Sequence, residues 1–483
     1  MAESNSKSLD PNESSKAKLP PWSGILIVFL AAIIVVLLGL MAVSVMERRW
    51  EAQRPVLALK PIAEWEPDNA EWGKNYPRQY DSYLKARITD TKTMFGGAFP
   101  RDYLDADSYK VILFAGYGFG RDYLQARGHY YAVEDVTNTK RIREPFNAAT
   151  CWTCKSTDVP RLMNKMDIGQ FYVANFHDLK NEITHPVGCR DCHDPTTMEL
   201  KITRPVLTEA LKAMGRDIKE ITHQQMRSLV CAQCHVEYYF KNDRNAGLKN
   251  YLTLPWKNGT SVEAMITYYD SRDFSDYRHP ISGTPIVKAQ HPDYELYLTG
   301  IHSYCDISCA DCHMPYRTEG GLKFTDHHIQ SPLLNISNSC AVCHRWSEKD
   351  IRTRIETIQT KASNAMLAAE EALVYAHFDL AAAMQSGATD EDLTELRKLL
   401  RHAQFRWDYV SSNNGVGFHS PQESMRILGD SVNQAQQVRV LAARLLAKKG
   451  IITAPKYPDV STREKASEIA NNFVKGNGYK LLP

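Results

Sequence analysis

Hydrophobic and polar positions divide the chain into three regimes. From Gly24 to Met46 there is no charged residue, and a helix rising about 1.5 Å per residue would stretch this run to roughly 34 Å, enough to span a bilayer. From about residue 50 to 345 the apolar positions are interrupted by Gly, Pro and aromatic residues, a pattern that predicts short helices and loops. Beyond that point the apolar spacing turns helical over long stretches. Ser347 to Gln385 reads as one helix stopped by Gly387, and Asp390 to Val410 as a second. A third starts at Ser420-Pro421-Gln422-Glu423, with an N-cap, a proline at the first helical position and a glutamate at N3; it runs to Lys449, with Gly450 as its stop.

The middle regime carries the chemistry. Ten of the eleven cysteines form Cys-x-x-Cys pairs: Cys151/Cys154, Cys189/Cys192, Cys231/Cys234, Cys309/Cys312 and Cys340/Cys343. The last four are followed at once by His193, His235, His313 and His344, the first by Lys155. Thiols at i and i+3 on one helical turn reach the two vinyl groups of a haem, and the residue at i+4 points from the same face towards its iron. Disulfides, zinc knuckles and a thioredoxin-like pair use the same cysteines, but none requires the histidine. Histidine is 16 of 483 residues, so four such placements in five have chance odds of about one in 10⁵. The motifs therefore predict five covalently bound c-type haems. Two histidines saturate a haem iron, whereas chemistry needs an open position. Lys155 binds iron only as the neutral amine, so its site must suppress the ordinary protonation of lysine.

Haem reshapes the remaining inferences. Uneven motif spacing excludes a fixed-length repeat array, and the near-neutral balance of +2 gives no footing for nucleic acid. The expected fold is mainly α, a compact multihaem cytochrome c fold with long C-terminal helices and an N-terminal transmembrane helix. Its segments are a cytoplasmic tail 1–23, a signal anchor 24–46, a haem-binding catalytic region 47–346, a long-helix region 347–450 and a C-terminal tail 451–483. Residues 1–19 are expected to be disordered. A cleaved signal peptide is the alternative to the anchor, although the apolar run is long for one. Lys7, Lys16 and Lys18 precede the span while Arg48, Arg49, Arg54 and Lys60 follow it, which leaves orientation undecided. Covalent haem attachment places the body of the chain in the periplasm, anchored to the inner membrane. Cys305 is expected to be a buried free thiol.

One Cys-x-x-Cys-Lys followed by four Cys-x-x-Cys-His resembles the ammonia-forming pentahaem cytochrome c nitrite reductases, over roughly residues 110 to 430. Gly128-His129, His235-Val236-Glu237-Tyr238, Lys288-Ala289-Gln290-His291, Gly300-Ile301-His302, Thr325-Asp326-His327 and Gly417-Phe418-His419 carry the same resemblance. It implies six-electron reduction of nitrite to ammonium at a Lys155-ligated haem whose distal face holds Arg141, Tyr238 and His291. A guanidinium suits a small anion, and Tyr and His can relay protons. The resemblance further implies distal ligands His327, His129, His419 and His302 for the second to fifth haems, with His328 a rival to its neighbour. It also implies one calcium ion on Glu237, the carbonyls of Tyr238 and Lys288, and Gln290. A homodimer and a membrane-bound multihaem quinol dehydrogenase as electron donor complete it. Two alternatives use the same residues: an electron conduit with every haem closed, which would lack a high-spin signal, and the same cavity acting mainly on hydroxylamine or sulfite.

Overall fold

The computed structural model describes residues 20, 22–53 and 59–483 of the 483; the expectation for residues 1–19 lies outside them. Two units are present. One comprises the N-terminal residues with the hairpin tip 318–323, the other residues 60–317 and 324–483. In the first, Ser23–Gln53 is one helix. The most apolar window of its stretch Ser23–Arg49 has a mean hydropathy of 3.3, and none of that window is buried in protein. The helix is long and apolar enough to cross a bilayer. An apolar helix near the N-terminus suits either an anchor or a signal peptide.

In the second unit the three long helices run Glu348–Gln385, Asp390–Ser411 and Pro421–Lys448. Ser347 Oγ accepts from Asp350 N at 3.2 Å, and Gly387 turns the chain out at φ +80°. Thr389 and Asp392 cap each other reciprocally at 3.2 and 2.9 Å. The third helix starts at Pro421 and stops before Gly450 at φ +81°, but its expected capping box does not form. Glu423 is drawn to the Arg426 guanidinium instead, at 2.6 and 2.8 Å, and Ser420 makes no side-chain cap. The charged partner one turn away outcompetes a single backbone amide.

The third helix lies against both others through Ile427, Ser431, Ala435, Val438, Ala442 and Leu446, all buried at spacings of three or four. Small residues on this stripe let the helices approach closely, and Ser431 Oγ donates to Ala403 O at 2.7 Å. Around the motifs, short helices and single turns alternate with three antiparallel hairpins that the sequence pattern did not predict: Tyr239–Asp243 with Leu248–Thr253, Tyr277–Arg278 with Pro285–Ile286, and Tyr316–Glu319 with Leu322–Thr325. Arg463–Val474, inside the expected tail, is a helix packed on Tyr109–Leu113.

Buried polar links tie the long helices to the motif region. Lys110 pairs with Asp107 and, at 2.7 Å, with Glu370 on the first long helix, whose carboxylate also accepts from Trp407 Nε1 at 2.9 Å. His377 stacks on His279 at 3.7 Å between Ser282 and Gln404. Glu370 is 1% exposed, and burial pushes its carboxyl up to about 7. Removing its ammonium partner leaves a buried charge, so Lys110→Met is expected to destabilise the fold by about 3 kcal/mol or more. Lys110→Met/Glu370→Gln, which removes that charge, should recover much of the loss in a denaturant titration; equal midpoints for single variant and parent would refute the coupling.

Candidate functional site

Four motifs wind so that the histidine amide closes a helical turn. His193 N, His235 N and His344 N donate to the carbonyls of Cys189, Cys231 and Cys340 at 3.0, 3.0 and 2.9 Å, and Cys309–His313 is itself a helical turn. Each turn presents both thiols and the imidazole together. The eleven cysteines form no disulfide. Neighbouring motifs touch: Cys154 lies beside Cys234, and Cys231 beside Cys309. The first, third and fourth motifs are therefore contiguous.

Cys343, expected as a haem-binding thiol like the other nine, departs from them in its surroundings. It is exposed, whereas Cys151, Cys154, Cys189, Cys192, Cys231, Cys234, Cys309, Cys312 and Cys340 are half-buried. Its motif is the short 3₁₀ turn Cys340–Val342, and Val342, His344 and Trp346 beside it are exposed as well. Among the described residues no segment encloses the second thiol of this motif.

Each motif histidine faces a second one from elsewhere in the chain. Ring centroids are 6.3 Å apart for His193 and His327, 6.4 Å for His235 and His129, 6.4 Å for His313 and His419, and 6.3 Å for His344 and His302. These separations are too wide for a direct hydrogen bond between the rings. A ring nitrogen binds a metal at about 2 Å, so two imidazoles on opposite sides of one ion have centroids roughly 6 Å apart. The pairs are those the family resemblance implies, and it is His327 that lies at this distance from His193.

The protonation states agree with such a role. His193, His313 and His327 hold Nδ1 on the carbonyls of Met198, Gln330 and Thr325 at 2.9, 2.9 and 2.7 Å, while His235 holds it on Asp293 at 3.1 Å. Among the described residues the Nε2 atoms of all eight imidazoles lack a hydrogen-bond partner. Burial pushes His129, His313 and His327 down to about 4, and lowers His193, His302 and His419 as well. Neutral imidazoles with free Nε2 atoms are the form that coordinates metal.

The first motif is built differently. Lys155 N donates to Trp152 O at 2.9 Å, one residue nearer than the histidine amides reach. Trp152 is fully buried, stacked on Phe176 at 4.0 Å with its indole N–H on the Phe176 carbonyl at 3.0 Å. The Lys155 side chain is half-buried and its amine has no hydrogen-bond or ion-pair partner among the described residues.

Buried Arg204 clamps the loop around it. Its guanidinium donates to the carbonyls of Thr153 and Ser156 at 2.6 and 2.8 Å and to the Asp191 carboxylate at 2.6 Å. Gln233 accepts from Arg204 N at 3.1 Å and donates to Asp191 O at 2.8 Å. Thr153, Asp191 and Gln233 occupy variable positions inside three motifs, so one cation fixes all three relative to one another. Arg204 belongs to no motif and Gln233 fills a variable position of one, which is why sequence reasoning missed them.

Arg141 and Tyr238 both flank the first motif, near Cys151. Arg141 holds Nε on Thr139 Oγ1 at 2.8 Å and near Asp122 at 3.7 Å, with its guanidinium over the Phe119 ring at 4.4 Å. Its two terminal nitrogens carry no hydrogen bond among the described residues. The Tyr238 hydroxyl is likewise unbonded there, and burial raises it well above the ordinary phenol range, so it stays protonated. His291 turns the other way. It contacts His235 Nδ1 at 2.9 Å, Asp293 Oδ2 at 3.1 Å and Asn414 Nδ2 at 3.1 Å. Among the described residues no hydrogen bond, ion pair or ring contact joins it to Arg141 or Tyr238. Asp293 is held well below the usual carboxylate range by His291 and His235 despite its burial.

Of the residues expected around calcium, Glu237, Lys288 and Gln290 are linked by hydrogen bonds, and Tyr238 adjoins Glu237 in the chain. Glu237 is fully buried, accepting from Tyr269 Oη at 2.8 Å and from Gln290 N at 2.5 Å; the Gln290 amide meets Lys288 O at 3.0 Å. Burial pushes Glu237 well above the carboxylate range, and its neighbour Glu295 up to about 8. Lys288 is committed to Asp408 at 2.9 Å. Buried carboxylates short of a fixed positive charge, with carbonyl and amide oxygens beside them, fit a hard cation. Cys305, expected to be buried, is exposed: it follows the short helix Ile301–Tyr304 on the surface rather than inside the core.

Paired imidazoles around repeated thiol turns define a multihaem c-type cytochrome, an oxidoreductase. The cytochrome c552 family matches residues 68–478, and the chain belongs to that family. It is 46% identical to cytochrome c-552 of Bacteroides fragilis over 458 residues, 93% of this chain and 92% of that one. It is 44% identical to cytochrome c-552 of Porphyromonas gingivalis over 464 residues, 94% and 92% of the two chains. Among solved structures it resembles the catalytic subunit of cytochrome c nitrite reductase from Desulfovibrio desulfuricans, described with two calcium sites. The TM-score is 0.75 and the identity 32%, covering 80% of this chain and 88% of that one.

The loop carrying Gln290 and His291 is braced from the second long helix, since Asp408 also accepts from Ala289 N at 2.9 Å. Asp408→Ala strands the buried Lys288 ammonium and is expected to cost about 3–5 kcal/mol. Amide exchange at Ala289 should quicken markedly in that variant and much less in Asp408→Asn, which keeps an acceptor; equal exchange in Asp408→Ala and the parent would show that the brace is unimportant.

Proposed function

We propose that the chain reduces nitrite to ammonium, taking up six electrons and eight protons, at a haem held by Cys151, Cys154 and Lys155. His193 with His327, His235 with His129, His313 with His419 and His344 with His302 would hold four further haems, which would supply electron transfer. The observation that carries this reading is the contrast among the motifs: four imidazole pairs with a gap the size of one metal, and one amine without a partner among the described residues, with the free terminal nitrogens of Arg141 and the Tyr238 hydroxyl beside its motif. A bound c-type haem supplies the redox-active iron at which nitrite is held and reduced.

The chain's own residues do the rest. Arg141 keeps its fork of terminal N–H donors free for the oxygens of a small anion, because Thr139 and Asp122 engage only its Nε side. Tyr238, protonated at neutral pH, can donate to an oxygen as an N–O bond breaks. His291 is covalently next to Gln290 and shares a network with Asp293 and Asn414, which supports a proton-relay role at the edge of the cavity. One calcium ion on Glu237, the Tyr238 and Lys288 carbonyls and Gln290 would fix both ends of this wall and add positive potential for an anion. A periplasmic location, anchoring of the 24–46 span in the inner membrane, a homodimer and a membrane-bound multihaem quinol dehydrogenase as donor complete the reading on the strength of the family.

Purified protein supplied with a reduced dye should convert nitrite to ammonium almost stoichiometrically, and Lys155→His should lower kcat by at least tenfold. Nitric oxide as the final product would defeat the proposal. Glu237→Gln removes the one charged donor of the cation site, so metal analysis should find bound calcium lost and kcat reduced, with haem content unchanged; full calcium occupancy in that variant would exclude the assigned ligand set.

A further inference from the structure

Asp293 receives more than one carboxylate usually does. Its Oδ2 lies 3.1 Å from His235 Nδ1, 3.1 Å from His291 Nε2 and 3.0 Å from Asn414 Nδ2, and its Oδ1 accepts from Asn414 N at 2.9 Å. A third imidazole, His419, has its Nδ1 3.8 Å from Oδ1 and makes no hydrogen bond there among the described residues. The ligand atoms of His235, His291 and Asp293 lie within 4.8 Å of one another. Asp293 is 7% exposed, so little water competes for these contacts.

We infer that Asp293 is a positioning residue that sets the reduction potential of the third haem through His235 and holds His291 in register with it. The inference rests on reading His235 as an axial ligand. An imidazole that gives its Nδ1 proton to a carboxylate is a stronger electron donor through Nε2 than one bonded to a peptide carbonyl. A stronger axial donor, with a negative charge behind it, favours the oxidised metal and lowers its potential. His193, His313 and His327 all use peptide carbonyls, which singles out the His235 site. Low dielectric around Asp293 enlarges the effect. Because the same oxygen holds His291, one side chain joins the wall of the proposed reaction cavity to the neighbouring electron carrier.

Potentiometric titration of the full haem-loaded protein, followed by low-spin absorbance and electron paramagnetic resonance, tests this without substrate. Asp293→Asn is expected to raise the potential of one low-spin couple most, to raise that of the His313–His419 pair less, since His419 lies 3.8 Å from the carboxylate, and to leave the other two in place, with haem content equal to the parent by mass. Asp293→Glu should return the most displaced couple towards its parental value. Asn414→Ala withdraws a competing donor from the carboxylate and should shift the same couple the opposite way, a reading that remains available if Asp293→Asn does not accumulate. Four unmoved low-spin couples in Asp293→Asn, or in Asn414→Ala where only that variant can be prepared, would overturn the inference, as would a uniform drift of all of them. A moved couple in a protein that makes no ammonium would sustain the tuning role while removing the proposed reaction.

Discussion

Eight imidazoles held in four facing pairs are the constraint on which the remainder of the fold depends. Ring nitrogens without a hydrogen-bond partner among the described residues stand in opposed sets at nearly constant separation, and burying such a nitrogen unbonded is costly. Only a group that binds both nitrogens at once removes the cost. The polypeptide of the middle regime is accordingly a set of brackets. Short turns carry thiols and rings, hairpins space them, and no extended helix occupies the volume the cofactors need.

Brackets of this kind need bracing, and much of the bracing is ionic. Arg204 joins Asp191 to the loop of the first motif, Arg227 joins Asp311 of the fourth at 2.8 Å, and Lys288 joins Asp408. Each pair is largely buried, where replacing both partners with apolar groups is often neutral but removing one is severe. Their value is directional. A guanidinium with several acceptors in fixed places sets the relative orientation of two turns better than apolar packing does. The long helices contribute from outside: Asp408 from the second and Glu370 from the first reach inward to hold segments that face the motifs, so the C-terminal bundle is part of the site's frame.

How much of this was legible from sequence varied with the physics involved. The long helices were read to within one or two residues because their signals are local: Gly387, Gly450, Pro421 and the Thr389 cap act within a turn of the boundary they mark. The cap at Ser420 was misjudged because Arg426 competes for Glu423, a contest among side chains that a four-residue pattern does not contain. The helix Arg463–Val474 was passed over because its buried positions, Ala466 and Ala470, give a weak apolar stripe. Cys305 was placed inside on the average habit of free thiols, whereas its short helix lies at the surface. Cys343 sits in a motif that reads like the three before it, yet it is exposed, because what encloses a thiol is the distant chain folded over it and not its own five residues. Arg204, Asp293, Asn414 and Asp408 carry no motif; only folding brings them to the residues they serve.

The lysine of the first motif follows from backbone winding as much as from ligand chemistry. At an α-helical 3.6 residues per turn the residue at i+4 lies about 40° round from i, but at the 3₁₀ value of three per turn it lies about 120° round. The histidine motifs bond their i+4 amide to i, whereas Lys155 bonds to i+1, held there by buried Trp152 and by Arg204 on the Thr153 and Ser156 carbonyls. On this winding, unlike that of His344, whose amide still bonds to i after the 3₁₀ turn Cys340–Val342, the i+4 residue starts further round from the face that presents the thiols. Four methylenes and free rotation let an amine come back to it. Under the proposed reading of Lys155 as a haem ligand, the tight turn, the clamp and the lysine would act as a single device.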